Sequence, residues 1–140
     1  MSSNQFPTVS TGPGLYRKGE AALREAAVVI FATAWGLKVD QVWVMPSFGL
    51  KNPRRWTGGT TMYTSATVLP YSLGLLRDSA SNMQLGRPAQ SDSECVIRHV
   101  LDRHCGTWKG LSKALRYRGV VCGSSLRAFV GEIKAGGAHV

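Results

Sequence analysis

Leu23, Ala27, Ile30, Phe31 and Ala34 recur at helical spacing and place a helix over about Leu15 to Gly36. Its inner stretch, Ala26–Trp35, is apolar apart from Thr33 and suits a buried core helix. Gly36 fits the C-terminal cap. Arg17, Lys18, Glu20, Arg24 and Glu25 decorate the first turns. Cations there oppose the helix dipole slightly and are left free for another use. Before this helix, Met1–Gly14 is rich in Ser, Thr, Gly and Pro and reads as an extended arm with a turn at Thr11–Gly14.

After Gly36 the pattern changes. Val39–Met45 is β-branched and aromatic and ends at Pro46, which marks a strand. Pro46–Gly59 is a long, turn-rich segment. Thr60–Leu69 marks a second strand, closed by Pro70, and the two strands can pair as a hairpin. Tyr71–Arg77 fits either a short helix or a third strand, and Asp78–Gln90 reads as a polar loop.

Helical spacing then returns. Ser91 and Glu94 form a capping box ahead of a helix over Asp92–His104, with Ile97, Val100, Leu101 and His104 along one side and Gly106 ending it. Thr107–Tyr117 is a further helix, with Trp108, Leu111 and Leu115 inward and Lys109, Lys113 and Arg116 outward. Ser124 or Ser125 caps a last helix over Leu126–Lys134, whose apolar positions are Leu126, Phe129, Val130 and Ile133. This order predicts an α+β fold. An N-terminal helix lies on a small antiparallel sheet and is followed by a basic three-helix segment. A chain of 140 residues fits one domain, with the arm over 1–14, helix and strands over 15–77, and the basic helices over 91–134.

Composition narrows the setting. No apolar run is long enough for a membrane span, so no membrane partner is expected. The stretch before Arg17 has neither the charge nor the apolar block of a secretory signal. Three cysteines make a poor disulfide framework and point to a reducing, cytoplasmic location.

Charge adds the strongest functional signal. Seventeen Lys and Arg face eight Asp and Glu, a net of +9. The excess is concentrated late in the chain. From residue 95 onward, eight cations (Arg98, Arg103, Lys109, Lys113, Arg116, Arg118, Arg127 and Lys134) face two carboxylates (Asp102 and Glu132), a net of +6. Such a surface attracts polyanions.

Two segments are candidate contact sites. The late helices resemble a helix-turn-helix outline, in which Ser125 and Arg127 would reach base edges or phosphates. Lys109, Lys113, Arg116 and Arg118 would then hold the phosphate backbone. The plainer reading is a helical core with a solvated basic face. The turn from Arg118 to Gly123 is long for that motif, and Gly131 weakens the last helix. The second candidate is the loop Phe48–Gly59, where Lys51, Arg54 and Arg55 stand beside Phe48 and Trp56. Cations can track a backbone there while Trp56 stacks or anchors. The alternative folds both aromatic rings back onto the sheet.

Other chemistry is weakly signalled. Cys95 and His99 are four apart, and His104, Cys105 and Cys122 follow, but no standard zinc spacing is present. Buried thiols are the simpler expectation, with no metal and no cofactor. Adjacent His104 and Cys105 point apart on a helix, which disfavours a nucleophile–base pair. Asp92 and Glu94 suit a helix start, while Asp40, Asp78 and Asp102 stand alone. Gly58-Gly59-Thr60-Thr61 lacks the lysine of a phosphate-binding loop.

The expectation is therefore a non-enzymatic protein that binds nucleic acid or a nucleoprotein complex. Two alternatives share the same surface. One is an inhibitor from a phage or mobile element that binds and blocks or dismantles a nucleic-acid-processing complex, its cations free to meet an acidic protein surface. The other is a structural subunit of a virion or similar oligomeric assembly. Whether the cations form one patch depends on how the helices pack.

Overall fold

A computed structural model describes residues 6–11, 16–46, 55–64 and 69–137. The elements run β1 (Phe6–Thr11), α1 (Lys18–Ala34), β2 (Lys38–Pro46), β3 (Trp56–Thr64), α2 (Leu73–Gln84), α3 (Asp92–Arg103), α4 (Cys105–Arg118), β4 (Val120–Cys122) and α5 (Gly123–Gly137). The strands form one antiparallel sheet in the order β1-β3-β2-β4. The fold is α+β.

α1 is the centre of the molecule. Almost every side chain from Ala21 to Thr33 is buried, which suits a helix that is apolar on all sides. Its alanines let neighbours approach closely: β2 and β3 on one side, and α2, α3, α4 and α5 around the rest. The helix ends as its glycine predicts. Gly36 takes φ +94°, its N–H bonds Thr33 O, and the Leu37 N–H bonds Ala32 O. These two bonds make a Schellman cap, and Leu37 is buried beside it.

The hairpin of β2 and β3 forms as expected, but β3 starts earlier than the β-branched run implies. Its ladder continues back through Gly59, Gly58, Thr57 and Trp56, opposite Trp43, Val44, Met45 and Pro46. Trp56 is thus a strand residue. The glycines do not break the strand because neighbours occupy the space a side chain would need. A Cβ on Gly58 would lie 2.9 Å from atoms of the Glu25 side chain. In β2 the register shifts between Val39 and Gln41. That irregularity lets Val39, Val42 and Val44 all face the core although their spacing is uneven.

Four other expectations are corrected. Within the arm, Phe6–Thr11 is a strand paired with β3. The segment read as a polar loop after Arg77 is helical to Gln84. Ser72 caps α2 by accepting the Leu75 N–H, and Leu76 and Ala80 are buried. Polar residues on its inner face (Arg77, Ser79, Ser81) hid the apolar period. Gly106 does not end α3. The break falls at His104, and Gly106 lies inside α4. Neither Ser124 nor Ser125 caps the last helix, because α5 follows β4 directly at Gly123. The Ser91–Glu94 cap forms, with the Ser91 hydroxyl accepting the Glu94 N–H at 3.1 Å.

Arg24 and Glu25 were expected on the surface and are both buried. The Glu25 carboxylate accepts two bonds from Arg77, Nε to Oε1 at 3.0 Å and Nη2 to Oε2 at 3.1 Å. Thr60 Oγ1 donates to its Oε2. Arg24 donates to Arg77 O and Ser81 Oγ, pairs with Asp78 at 3.0 Å, and lies over the Tyr16 ring. Two adjacent charges on α1 thereby clasp α2 and β3. The pairing is necessary, because an isolated charge in such a place costs several kcal/mol.

Candidate functional site

The late basic residues do not form one patch. On α4, Trp108, Leu111, Ser112 and Leu115 are buried, and this turns Lys109, Lys113 and Arg116 to the opposite, exposed face. The helix is pinned to α1 by Trp108 Nε1, which donates to Leu23 O at 3.0 Å. The three cations lie at i, i+4 and i+7, a stripe about 10 Å long at the helical rise. They line a shallow groove of about 310 Å³ with Ser112 and Tyr117 of α4, Gly19 and Leu23 of α1, and Gln84 of α2. None of these lining residues is a carboxylate.

The groove has a second source of positive potential. Gly19 lies in the first turn of α1, and no side chain caps that helix end. The Arg116 guanidinium carbon lies 3.8 Å from the place a Cβ would occupy on Gly19. A helix start carries unsatisfied N–H donors and a partial positive charge, here partly offset by Glu20 in the same turn. A cationic stripe beside it raises the local potential further and suits phosphate-sized anions.

The other cations are elsewhere. Arg118 leaves the stripe and donates to Ser125 Oγ at 3.0 Å. Arg127 lines a separate groove of about 480 Å³ with Lys38, Lys134 and one carboxylate, Asp40. It shares no lining residue with the α4 groove. In chain order β4, hydrogen-bonded to β2, lies between α4 and α5, and the two helices touch where the Phe129 ring approaches Gly110. Lys51 and Arg54 lie outside the described residues, as does Phe48. Arg55 is half-buried just before β3. Trp56 is not free to stack on both faces. It pairs with Pro46 and bridges to Tyr16, and Lys18 Nζ lies 4.8 Å from its ring centroid.

Among the described residues the sulfur and imidazole groups form no metal-binding cluster. Cys95 and Cys122 are exposed and Cys105 is half-buried, so the expectation of buried thiols is wrong. Cys95 lies on the outer face of α3, and Cys122 lies on the outer face of the short edge strand. Among the described residues no group of three His, Cys, Asp or Glu could hold a metal ion. His104 is buried at the α3–α4 junction. Burial, and secondarily the charge of Arg103, holds its imidazole below the ordinary histidine range. Among the described residues no helix is long and apolar enough to cross a membrane.

Sequence reasoning found the three cations but missed Tyr117, Gln84 and Gly19. Tyr117 was visible beside Arg116 on the same helix. Gln84 and Gly19 carry no local signal, since only the packing of α2 and α1 against α4 brings them in. No protein-family model, curated protein or solved structure matches the chain.

Proposed function

We propose that the protein binds nucleic acid without catalysing a reaction on it, through the α4 groove. The observation that carries this is the meeting of Lys109, Lys113 and Arg116 beside the uncapped start of α1, with no carboxylate in the lining. Cations so arranged repel one another in the free protein, and a chain of phosphates relieves that repulsion. α4 is rigidly seated, so its cations are held in place while their long stems adjust. The backbone contacts fall to α4, and Arg127, which lines a different groove, takes no base-reading part in this function.

Fluorescence anisotropy of labelled oligonucleotides across a salt series tests the proposal. Each phosphate contact contributes about −0.7 (single strand) to −0.9 (duplex) to the slope of log K against log salt, so three contacts give about −2 to −3. Lys109→Ala, Lys113→Ala and Arg116→Ala combined should remove most of that slope. The combined variant should fold at least as stably, because it loses exposed like charges. Absence of binding at low salt, or full binding by the combined variant, would refute the proposal.

A further inference from the structure

We infer that the nucleic acid held in the α4 groove is single-stranded, with one base stacked on Tyr117. This rests on the nucleic-acid reading of the groove and names the form of ligand it takes. Tyr117 is 77% exposed, more than any other large apolar or aromatic side chain in the described core and surface. Tyr117 lines the same groove as the three cations. Among the described residues it has no stacked aromatic ring and no cation over its face. A ring left open beside phosphate-binding cations serves an unstacked base, because every base has a π-face to offer. Bases in a duplex are already paired and stacked and would gain nothing from it.

Shape points the same way. An element that reads a duplex enters the major groove and must stand clear of its neighbours. The cationic face of α4 instead forms part of a concave surface, walled by Gly19 and Leu23 of α1 and by Gln84 of α2. A flexible single strand can follow such a depression, with its phosphates toward Lys109, Lys113 and Arg116. The Gln84 amide is an uncharged donor and acceptor, suited to a base edge.

The test uses the full chain and four probes of matched length: oligodeoxythymidine, oligouridine, an abasic sugar–phosphate strand and a hairpin duplex. Tyr117→Ala should weaken binding to the thymidine strand about 5- to 150-fold, the range that stacking of one base supports. It should leave the abasic strand and the duplex within about twofold. Tyr117→Phe, which keeps the ring, should retain binding. The uridine strand asks whether the sugar matters. Equal binding of both strands is expected, and a preference of more than about tenfold for either would mean that stacking and charge are not the whole recognition. Duplex bound as tightly as the thymidine strand, with Tyr117→Ala silent, would overturn the single-strand inference and leave the groove as a duplex-backbone site. No binding of any probe would overturn the nucleic-acid reading itself.

Discussion

Arg77→Met should be among the most damaging single substitutions in this chain. Glu25 is 1% exposed and Arg77 5% exposed. The substitution removes both guanidinium bonds to the carboxylate and leaves it with the Thr60 hydroxyl. Breaking a buried pair from one side costs about 3–5 kcal/mol, because the remaining charge keeps its desolvation penalty without its partner. A domain of this kind has about 5–15 kcal/mol of stability in total. At about 3–5 °C per kcal/mol for this size, the midpoint of thermal unfolding should fall by roughly 10–20 °C. The partner experiment is Glu25→Leu with Arg77→Met. Removing both charges should restore most of the loss. A residual cost of about 1 kcal/mol is expected for the Thr60 hydroxyl, which would then have lost its acceptor. Urea unfolding followed by circular dichroism on the wild type, each single variant and the double variant closes the cycle. A loss under about 1 kcal/mol for Arg77→Met, or a double variant no better than the single, would refute the interaction as the clasp of α1, α2 and β3.

Two further expectations concern stability. His104 has its folded pKa below the ordinary value of about 6.5, so the unfolded chain takes up the proton first. Stability should be full above about pH 6.5, fall as pH drops from there towards the folded pKa, and change no further through this group below it. His104→Gln should flatten that part of a urea-unfolding pH series, and an unchanged slope in the variant would show that another group is responsible. Gly36→Ala should cost about 1–2 kcal/mol purely through its backbone angle, since nothing lies within 4 Å of the added Cβ. A neutral result would mean that the Schellman cap tolerates a different backbone.

The parts of the fold legible in the sequence are those with a local apolar or capping signal. The unbroken apolar stretch of α1, the β-branched run of β2, the Ser91 cap and the helical spacing of Trp108, Leu111 and Leu115 in α4 are each local signals of this kind. The misread parts break that rule for a physical reason. α2 buries Arg77 and Ser81 because α1 presents Arg24 and Glu25 to it, so neither helix betrays the match alone. β3 runs through Gly58 and Gly59 because Glu25 and Trp43 fill the room above them. Of the candidate site, Lys109, Lys113 and Arg116 were legible because helical spacing alone puts them together. That Arg118 and Arg127 lie apart from them depends on β4 and α5, whose position no local pattern reports.

The buried charges and the surface groove meet on the same two helices. α1 carries Glu25 inside and Gly19 at the groove, and α2 carries Arg77 inside and Gln84 at the groove. The spacing between the groove walls is therefore set by the clasp beneath them. An apolar pair at these positions could hold α1 and α2 together, but it would resist sliding less, because dispersion contacts have little directional preference. The bidentate guanidinium–carboxylate bond has one favourable geometry and so fixes the register of α2 against α1. On this argument the Glu25→Leu, Arg77→Met double variant, even when fully folded, should bind oligonucleotides less well than the wild type. The loss should lie in the groove's fit and leave its charge alone. The salt slope should stay near its wild-type value while the affinity at any one salt falls. A double variant that folds and binds like the wild type would separate the clasp from the groove and leave the ion pair with a purely structural role.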